Sequence, residues 1–423
     1  MSFELRSITA PGERLVALAE QHCADFATRA EAHDRDNTFV AENFNAMKRS
    51  GFLAACAPEE FGGLGVESVH DLMVGISRLA RGCPSTAICA NMQMIGVMFA
   101  ARMWRQAVRS GDEAAAAGLA PALTRFGRSE VVRSGAGTES GGTFLLPVVE
   151  ARPVEGGYLI SGRKGFGTNS EIADVISTMV RVRGEDGAYY VAGPVIPRGT
   201  KGMEVTGNWD ALGMRGSGSH DIIFTDCFVP EGSISILGPM GPPSAVALAY
   251  IALANFPLFG ANLGIAEAAR DSIVEMARTR RRKPFDRPVA ERPAVQHQIA
   301  EIEIGLTAAR AALTRTGMAL DARLERPDDE LDARDMEELE KEIQCTKLIV
   351  NRAATEIVDR AMTVSGGSGY LSSSALSRMC RDVRAGQFMQ PYSPLEAYEF
   401  IGRVSLGLDP YAELRVGAAC FSP

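Results

Sequence analysis

The first 130 residues carry apolar side chains at the spacing of α-helices. Over residues 15–30 the apolar positions fall on one face of a helix. Further helices are predicted over residues 43–51, 69–80 and 87–104, with glycine- and proline-containing turns between them. Residues 1–130 are therefore predicted to form an N-terminal helical domain.

Residues 131–236 instead show short alternating runs that are rich in Gly, Val, Ile and Thr. Residues 158–166 and 221–226 follow the period of two that is typical of β-strands, and a turn at 155–157 precedes the first of them. This stretch is predicted to form a middle β-domain with the architecture of a small barrel or sandwich.

Helical spacing returns in residues 237–423. Apolar residues recur every three or four positions from Val295 to Leu313, and residues 336–362 predict another long helix. The apolar stretch 245–269 is interrupted by Asn, Pro and Glu, so it is predicted to be a helix buried in protein and not a membrane span. The third domain is therefore predicted to be a C-terminal four-helix bundle, and the fold class is α+β.

Composition and motif content argue against several kinds of ligand and site. The chain has 423 residues and a net charge of -8, which argues against a nucleic-acid-binding surface. Its eight cysteines form no CxxC pair and its five histidines no HxxxH or HExxH motif, so no metal site is predicted. Because the first residues also lack the regions of a signal peptide, we expect a cytoplasmic protein with reduced thiols and no membrane segment.

Candidate chemistry is concentrated between residues 366 and 403. Gly366, Gly367 and Gly369 allow a backbone to approach another group closely, because no Cβ stands in the way. The chain then breaks at Gln390-Pro391 before a helix resumes, which leaves a bend where side chains can face a pocket.

Several segments resemble the acyl-CoA dehydrogenase superfamily of flavoproteins, and they occur in the order that this family shows. Any one of them is a weak signal, but the ordered set covers nearly the whole chain. They are PEEFGGLG (58–65), GAGTE (135–139), GRKGFGTN (162–169), ALGMRGSGS (211–219), RKPF (282–285), and GGSGY (366–370) followed by Arg381-Asp382.

The resemblance implies an FAD held between the β-domain and the C-terminal helices of a homotetramer, a dimer of dimers. Hydrogen bonds around the flavin ring tune its electron affinity, and a guanidinium suits a pyrophosphate. The implied cofactor-binding residues are Thr138, Phe166 and Thr168 near the ring, Arg282 and Phe285 near the dinucleotide of a neighbouring subunit, and Gly366, Gly367 and Gly369 near a phosphate.

The sequence departs from the family where a dehydrogenase carries its catalytic base. Alignment on Arg381-Asp382 places Gln390 at the position of the usual Glu, and an amide cannot accept a proton at a useful pKa. The position that some members use instead falls near Ala254, in a stretch without Asp or Glu. Gln390 is then predicted to hydrogen-bond the substrate or the flavin, and Tyr392 to form the pocket wall or simply to pack in the core.

Three functions stay open at this point. The first is an oxygen-using flavoenzyme, a monooxygenase or oxidase that acts on a small molecule or acyl thioester, with O2 and a flavin reductase as partners. The second is an acyl-CoA dehydrogenase with a displaced base, for which Glu139, Glu396 and Glu399 are candidates. The third is a non-catalytic flavin-binding or assembly protein. The missing Glu together with the retained flavin motifs favours the first.

Overall fold

The computed structural model describes residues 3–143 and 145–415. Its N-terminal part is helical. Thr9 caps the first helix, because its Oγ1 accepts a hydrogen bond from Gly12 N at 3.0 Å. Asn37 ends that helix in the left-handed conformation, with φ 53°. The helices are α1 (Ala10–Asp36), α2 (Ala41–Ser50), α3 (Val69–Gly82), α4 (Pro84–Ser110) and α5 (Glu113–Gly127).

The middle part is a β-domain, as predicted, and its strands form a mixed sheet. Its strands follow the order β1-β4-β6-β5-β2-β3-β8-β7, with β9 against β6. Single bridges from the segment after β1 to the end of β3 curl the sheet back on itself. The strands are β1 (Arg133–Ala136), β2 (Glu150–Val154), β3 (Gly157–Gly167), β4 (Val175–Thr178), β5 (Val180–Arg183), β6 (Tyr189–Pro197), β7 (Met203–Val205), β8 (His220–Pro230) and β9 (Ile234–Pro239).

The C-terminal part is a bundle of helices, which confirms the predicted fold class. The apolar stretch from Ala245 is not one continuous helix, because a 3₁₀ turn at Phe256–Leu258 interrupts it at Pro257. The elements are α6 (Ala245–Asn255), α7 (Phe259–Thr279), a hairpin of β10 (Arg281–Arg282) and β11 (Arg287–Pro288), α8 (Pro293–Leu324), α9 (Ala333–Ser365), α10 (Gly367–Tyr370), α11 (Ala375–Asp382) and α12 (Pro394–Ser405).

The N-terminal and C-terminal helices share one hydrophobic core, whereas the β-domain has a core of its own. A buried ion-pair cluster reinforces the shared core. Glu267 on α7 is fully buried and lies 2.6 Å from Arg81 Nη2 on α3 and 2.7 Å from Arg310 Nη2 on α8. The predicted boundaries at 130/131 and 236/237 mark where the sequence pattern changes. Because the N-terminal and C-terminal helices share one core, that these positions are also domain boundaries stays a prediction.

The stretch Ala245–Thr279 is long and apolar enough to cross a membrane by length and composition alone, with a mean hydropathy of 1.6 in its most apolar window. In the structure, however, 67% of that window is buried inside the protein. This is the environment of a core helix, and it agrees with the prediction that the helix is buried in protein.

Candidate functional site

Two glycine-rich segments lie side by side at the edge of the β-domain. Gly165 N donates a hydrogen bond to Thr138 O at 2.8 Å, and β-bridges pair Thr138 with Gly165 and Gly135 with Thr168. At Gly137 no atom lies within 4 Å of the position that a Cβ would take, so a ligand can approach this backbone closely. The structure thus brings together the two segments that the resemblance assigns to the flavin ring.

A short chain of hydroxyl groups ends at Thr168. Thr168 Oγ1 lies 2.9 Å from Ser219 Oγ, which lies 2.7 Å from Ser217 Oγ. All three side chains are buried, with Thr168 the most accessible at 9% exposure. Because each hydroxyl can donate one hydrogen bond and accept others, the chain can orient the Thr168 proton toward a ligand acceptor. Ser219 lies in a segment that carried the resemblance, but its contact with Thr168 was not predicted.

Phe166, within the second of these segments, carries an exposed aromatic ring. The Phe166 ring is 61% exposed and packs edge-to-face on Trp209, with 5.8 Å between ring centroids. Trp209 Nε1 donates to Met214 O at 3.2 Å, which fixes the indole. Phe166 itself has a positive φ of 54°. Phe166 is thus a large exposed aromatic in a sparsely populated backbone conformation, and its role toward the flavin stays a prediction.

Glu139 and Lys164 form a buried ion pair beneath the first segment. Lys164 Nζ lies 2.9 Å from Glu139 Oε1, and both side chains are almost inaccessible to solvent. The Glu139 carboxylate also accepts hydrogen bonds from Val148 N and Val149 N, each at 2.9 Å. Burial lowers the pKa of Lys164, and the neighbouring carboxylate partly opposes that shift. Glu139 is therefore held by three partners and is poorly placed to act as a free base.

Gln390 lies on an exposed bend whose backbone accepts hydrogen bonds from a buried lysine. Lys347 on α9, only 1% exposed, donates through Nζ to the backbone oxygens of Met389 and Tyr392, the second at 2.6 Å. The Tyr392 ring stacks on Phe400 with centroids 5.1 Å apart, and burial raises the pKa of its hydroxyl. The structure thus places Gln390 at the surface of the bend and packs Tyr392 into the core. Their catalytic roles stay predictions.

The other two candidate bases lie on α12 and do not replace the missing Glu. Glu396 accepts a hydrogen bond from Ser393 N at 2.7 Å and caps the start of its own helix. Glu399 is exposed on the same helix. Together with the ion-paired Glu139, these positions offer no carboxylate that is both free and buried.

The Arg381-Asp382 pair joins the three parts of the chain near this bend. Arg381 Nη1 lies 2.8 Å from Asp34 Oδ1 on α1. Asp382 is 2% exposed and accepts a hydrogen bond from Met214 N, in the loop before β8, at 2.7 Å. Burial raises the pKa of Asp382 to about 6. Through these contacts the dipeptide fixes the relative positions of the helices and the β-domain.

The remaining predicted residues form a second cluster among the C-terminal elements. Arg282 and Phe285 are exposed on the β10–β11 hairpin, and the Arg282 guanidinium lies 5.4 Å from the Phe285 ring centroid. Gly366 and Gly367 are exposed in the turn after α9, whereas Gly369 is buried. The two groups are neighbours, because Arg280 Nη1 donates to Ser365 O at 3.2 Å. The link through Arg280 was not predicted.

Metal or disulfide chemistry finds no support in the part of the chain that the structure describes. No group of three His, Cys, Asp or Glu side chains there could hold a metal ion. The cysteines within those residues are free thiols, and Cys420 lies outside them.

Models of three acyl-CoA dehydrogenase domains match the chain in sequence order: the N-terminal domain over residues 12–111, the middle domain over 136–227 and the C-terminal domain over 258–392. Amino sugar nitrososynthase RubN8 of Streptomyces rubradiris is 35% identical over 405 residues, covering 95% of this chain and 92% of its own length.

Solved structures extend the similarity over the full length. A structure of KijD3 in complex with FMN and dTDP-3-amino-2,3,6-trideoxy-4-keto-3-methyl-D-glucose superposes with a TM-score of 0.86 at 30% identity, covering 98% of both chains. The nitrososynthase from Micromonospora carbonacea var. africana has a TM-score of 0.84 at 30% identity, covering 95% of this chain and 98% of its own.

Proposed function

The chain belongs to the acyl-CoA dehydrogenase superfamily of flavoenzymes, and from that premise we propose that it is an oxygen-using member that oxidises the amine nitrogen of a nucleotide-linked amino sugar. The observation that carries this proposal is that none of the described positions considered for the base, Gln390, Glu139, Glu396 and Glu399, offers a carboxylate that is both free and buried. Gln390 stands at the position of the usual Glu, and Glu139 is held by Lys164 and two backbone N–H groups. Abstraction of an α-proton from a thioester needs a free carboxylate, whereas oxygenation of an amine does not.

The two segments around Thr138 and Thr168, which form the first cluster, carry residues that fit a flavin ring. Thr168 can offer a hydroxyl proton, the backbone at Gly137 is open, and Phe166 offers an exposed aromatic face. When bound in its reduced form, the flavin supplies the two electrons that activate O2. The protein residues then have to orient the amine, exclude water and provide hydrogen bonds, which are tasks that the amide of Gln390 can share.

The stoichiometry requires an external reductant. One oxygenation converts R–NH2, O2, two protons and two electrons into R–NHOH and water. A second converts R–NHOH, O2, two protons and two electrons into R–N=O and two waters. A flavin reductase, or another source of reduced flavin, is therefore the expected protein partner. The similarity to amino sugar nitrososynthases supports both the reaction and the substrate class.

The test compares two substrate classes on the purified holoprotein. Acyl-CoA thioesters should leave the oxidised flavin spectrum unchanged without oxygen. A dTDP-linked amino sugar, supplied with reduced flavin and oxygen, should gain one oxygen atom as the hydroxylamine, or one oxygen atom less two hydrogen atoms as the nitroso product. Anaerobic bleaching by an acyl-CoA would contradict the proposal and indicate a dehydrogenase with a displaced base. Failure to bind any flavin would favour a non-catalytic protein.

We propose FAD over FMN as the cofactor because the chain keeps the second cluster. Arg282 and Phe285 form an exposed cation–aromatic pair, and the Gly366 turn lies in the same part of the bundle. FMN lacks the adenosine half that such a cluster would contact. Arg282→Ala is expected to weaken FAD binding about tenfold or more, since it removes a charge-assisted hydrogen bond, and to leave FMN binding unchanged. Equal effects on both flavins would contradict this assignment.

A homotetramer, a dimer of dimers, is proposed on the same grounds. The resemblance supports it, because it places Arg282 and Phe285 near the dinucleotide of a neighbouring subunit. Exposed apolar side chains near the second cluster, Phe285, Tyr370 and Leu371, provide a surface for such a contact. Light scattering coupled to size-exclusion chromatography tests the assembly, and a monomer with full FAD affinity would contradict it.

A further inference from the structure

Arg133 carries a positive charge into the space between α4 and the β-domain. The residue lies on β1, and its Nε donates to Ser177 Oγ on β4 at 2.9 Å. Its Nη1 donates to the backbone oxygen of Met92 on α4 at 3.3 Å, while its own N–H donates to Gln93 Oε1 at 2.7 Å. Two hydrogen bonds, one to β4 and one to α4, therefore fix the side chain, and a third from its backbone fixes the residue; none of the acceptors is a carboxylate.

The charge on Arg133 has no ion-pair partner among the residues that the structure describes. Burial is the cause that lowers its pKa, to about 10, so the guanidinium remains protonated at neutral pH. Arg133 is half-buried, so a charge that no described carboxylate compensates stays accessible to an anion from solvent. An anionic ligand would supply the missing compensation.

The surrounding glycines show that the backbone makes room for this side chain. A Cβ on Gly96 would lie 2.7 Å from Arg133 Cδ, so α4 tolerates the arginine only because that position is glycine. A Cβ on Gly135 would lie 3.5 Å from Arg133 Nη1. Gly135 pairs with Ser177 across β1 and β4 and bridges to Thr168, so the guanidinium lies beside the segment that faces the flavin.

Further polar groups close to Arg133 in the chain or in space lack partners in the described structure. Ser134 Oγ and both polar side-chain atoms of Asn91 are buried without a hydrogen bond. Asn169 donates through Nδ2 to Arg133 O at 3.4 Å, but its Oδ1 is buried and unpaired. Unsatisfied buried polar groups on neighbouring residues, together with a cation that has no ion-pair partner, are typical of a ligand site and not of a fully packed core.

We propose that Arg133, together with the Ser177 hydroxyl, binds a phosphate group between α4 and the β-domain. The guanidinium keeps N–H donors on Nη1 and Nη2 beyond those used internally, and Ser177 Oγ accepts from Arg133, so its own proton can point to a phosphate oxygen. The phosphate could come from two sources. The first is the diphosphate of a nucleotide-linked substrate, and in that case the inference rests on the proposed function and deepens it. The second source is the phosphate of the flavin.

The experiment measures binding to the folded protein and does not depend on turnover. Dissociation constants for thymidine diphosphate, inorganic pyrophosphate and FAD are measured by calorimetry for the wild type, Arg133→Gln and Arg133→Lys. The matched control is Arg183→Gln, which removes an exposed arginine of β5. Far-UV circular dichroism and thermal unfolding establish that each variant is folded.

We expect Arg133→Gln to weaken thymidine diphosphate about 10- to 100-fold, the loss of one or two charge-assisted hydrogen bonds, with FAD unchanged. Arg133→Lys should retain part of the affinity, and Arg183→Gln all of it. A loss of FAD affinity alone would assign the phosphate to the flavin. Unchanged affinity for every probe in a folded Arg133→Gln protein would overturn the proposal.

The outcomes separate this inference from the proposed function. If the wild type binds thymidine diphosphate through Arg133 yet oxidises no amine, the proposed reaction fails and the phosphate site stands. If the wild type binds no thymidine diphosphate, the nucleotide-linked substrate is wrong. Pyrophosphate and FAD then still decide whether Arg133 recognises a phosphate.

Discussion

Replacing Glu139 with Gln should destabilise the protein by about 3–5 kcal/mol. Lys164 Nζ lies 2.9 Å from the Glu139 carboxylate and is fully buried. Glu139 is also the carboxylate that opposes the lowering of the Lys164 pKa. The substitution therefore leaves an uncompensated buried ammonium, for which a cost of about 3–5 kcal/mol is typical. It also disturbs the carboxylate that accepts from Val148 N and Val149 N.

A double variant isolates the ion pair from the rest of the site. In Glu139→Gln combined with Lys164→Met, no buried charge is left without a partner, so most of the lost stability should return. Urea unfolding of wild type, both single variants and the double variant, followed by circular dichroism, gives the coupling between the two positions. A loss below about 1 kcal/mol in the single variant, or no recovery in the double variant, would refute the reasoning.

The same double variant tests the displaced-base hypothesis. If Glu139 were the base of a dehydrogenase, its removal would cost about 10²- to 10⁴-fold in turnover however well the protein folds. If the ion pair only supports the loop, the refolded double variant should keep its activity within about tenfold. Steady-state rates measured on flavin-saturated protein distinguish the two results.

Other substitutions test the supports of the Gln390 bend. Lys347→Met removes the donor to two backbone oxygens of that bend and should lower kcat/KM about tenfold at unchanged flavin affinity, while Lys201→Met, at an exposed site, should not. Burial raises the pKa of Glu340 to about 7 from 4.5, so the folded state binds more protons between these values and wild-type stability falls as pH rises through them. Glu340→Gln removes this dependence and should gain up to about 3 kcal/mol relative to wild type at pH 8, from 2.5 units at 1.36 kcal/mol each, as measured by urea unfolding at pH 5 and 8. Gly386→Ala places a Cβ in overlap with Asn262 Nδ2 and should cost about 1–3 kcal/mol, whereas Gly402→Ala meets nothing within 4 Å and should be neutral or stabilising by thermal unfolding.

The sequence was sufficient to predict the fold because its periodicities are local. Helical spacing predicted the terminal parts, alternation predicted the β-domain, and both were confirmed. The break at Pro257 was visible as a single residue, but whether a proline kinks or divides a buried helix depends on what packs against it.

The site was only partly predictable because its supports are long-range. The resemblance assigned Thr138 and Thr168 to the same flavin ring, and the β-bridges place their segments side by side. Lys347 and the carbonyl oxygens that it binds are 42 and 45 residues apart in sequence, so no local pattern connects them. Lys164 and Arg133 stand in strands where a charged residue usually points to solvent, and only the structure shows that Lys164 is fully buried and Arg133 half-buried.

These inward charges bear on how the proposed chemistry fits the fold. In a dehydrogenase, the pocket needs a buried carboxylate with a raised pKa next to the thioester. Here Glu139, in a segment that the resemblance assigns to the flavin, is paired with Lys164, and the half-buried Arg133, which no described carboxylate pairs, is positive. A positive pocket disfavours a protonated amine and so favours the neutral form, whose nitrogen lone pair is the one that can accept an oxygen atom. The charge distribution therefore suits an anionic substrate that carries an unprotonated amine, and it opposes proton abstraction by a carboxylate.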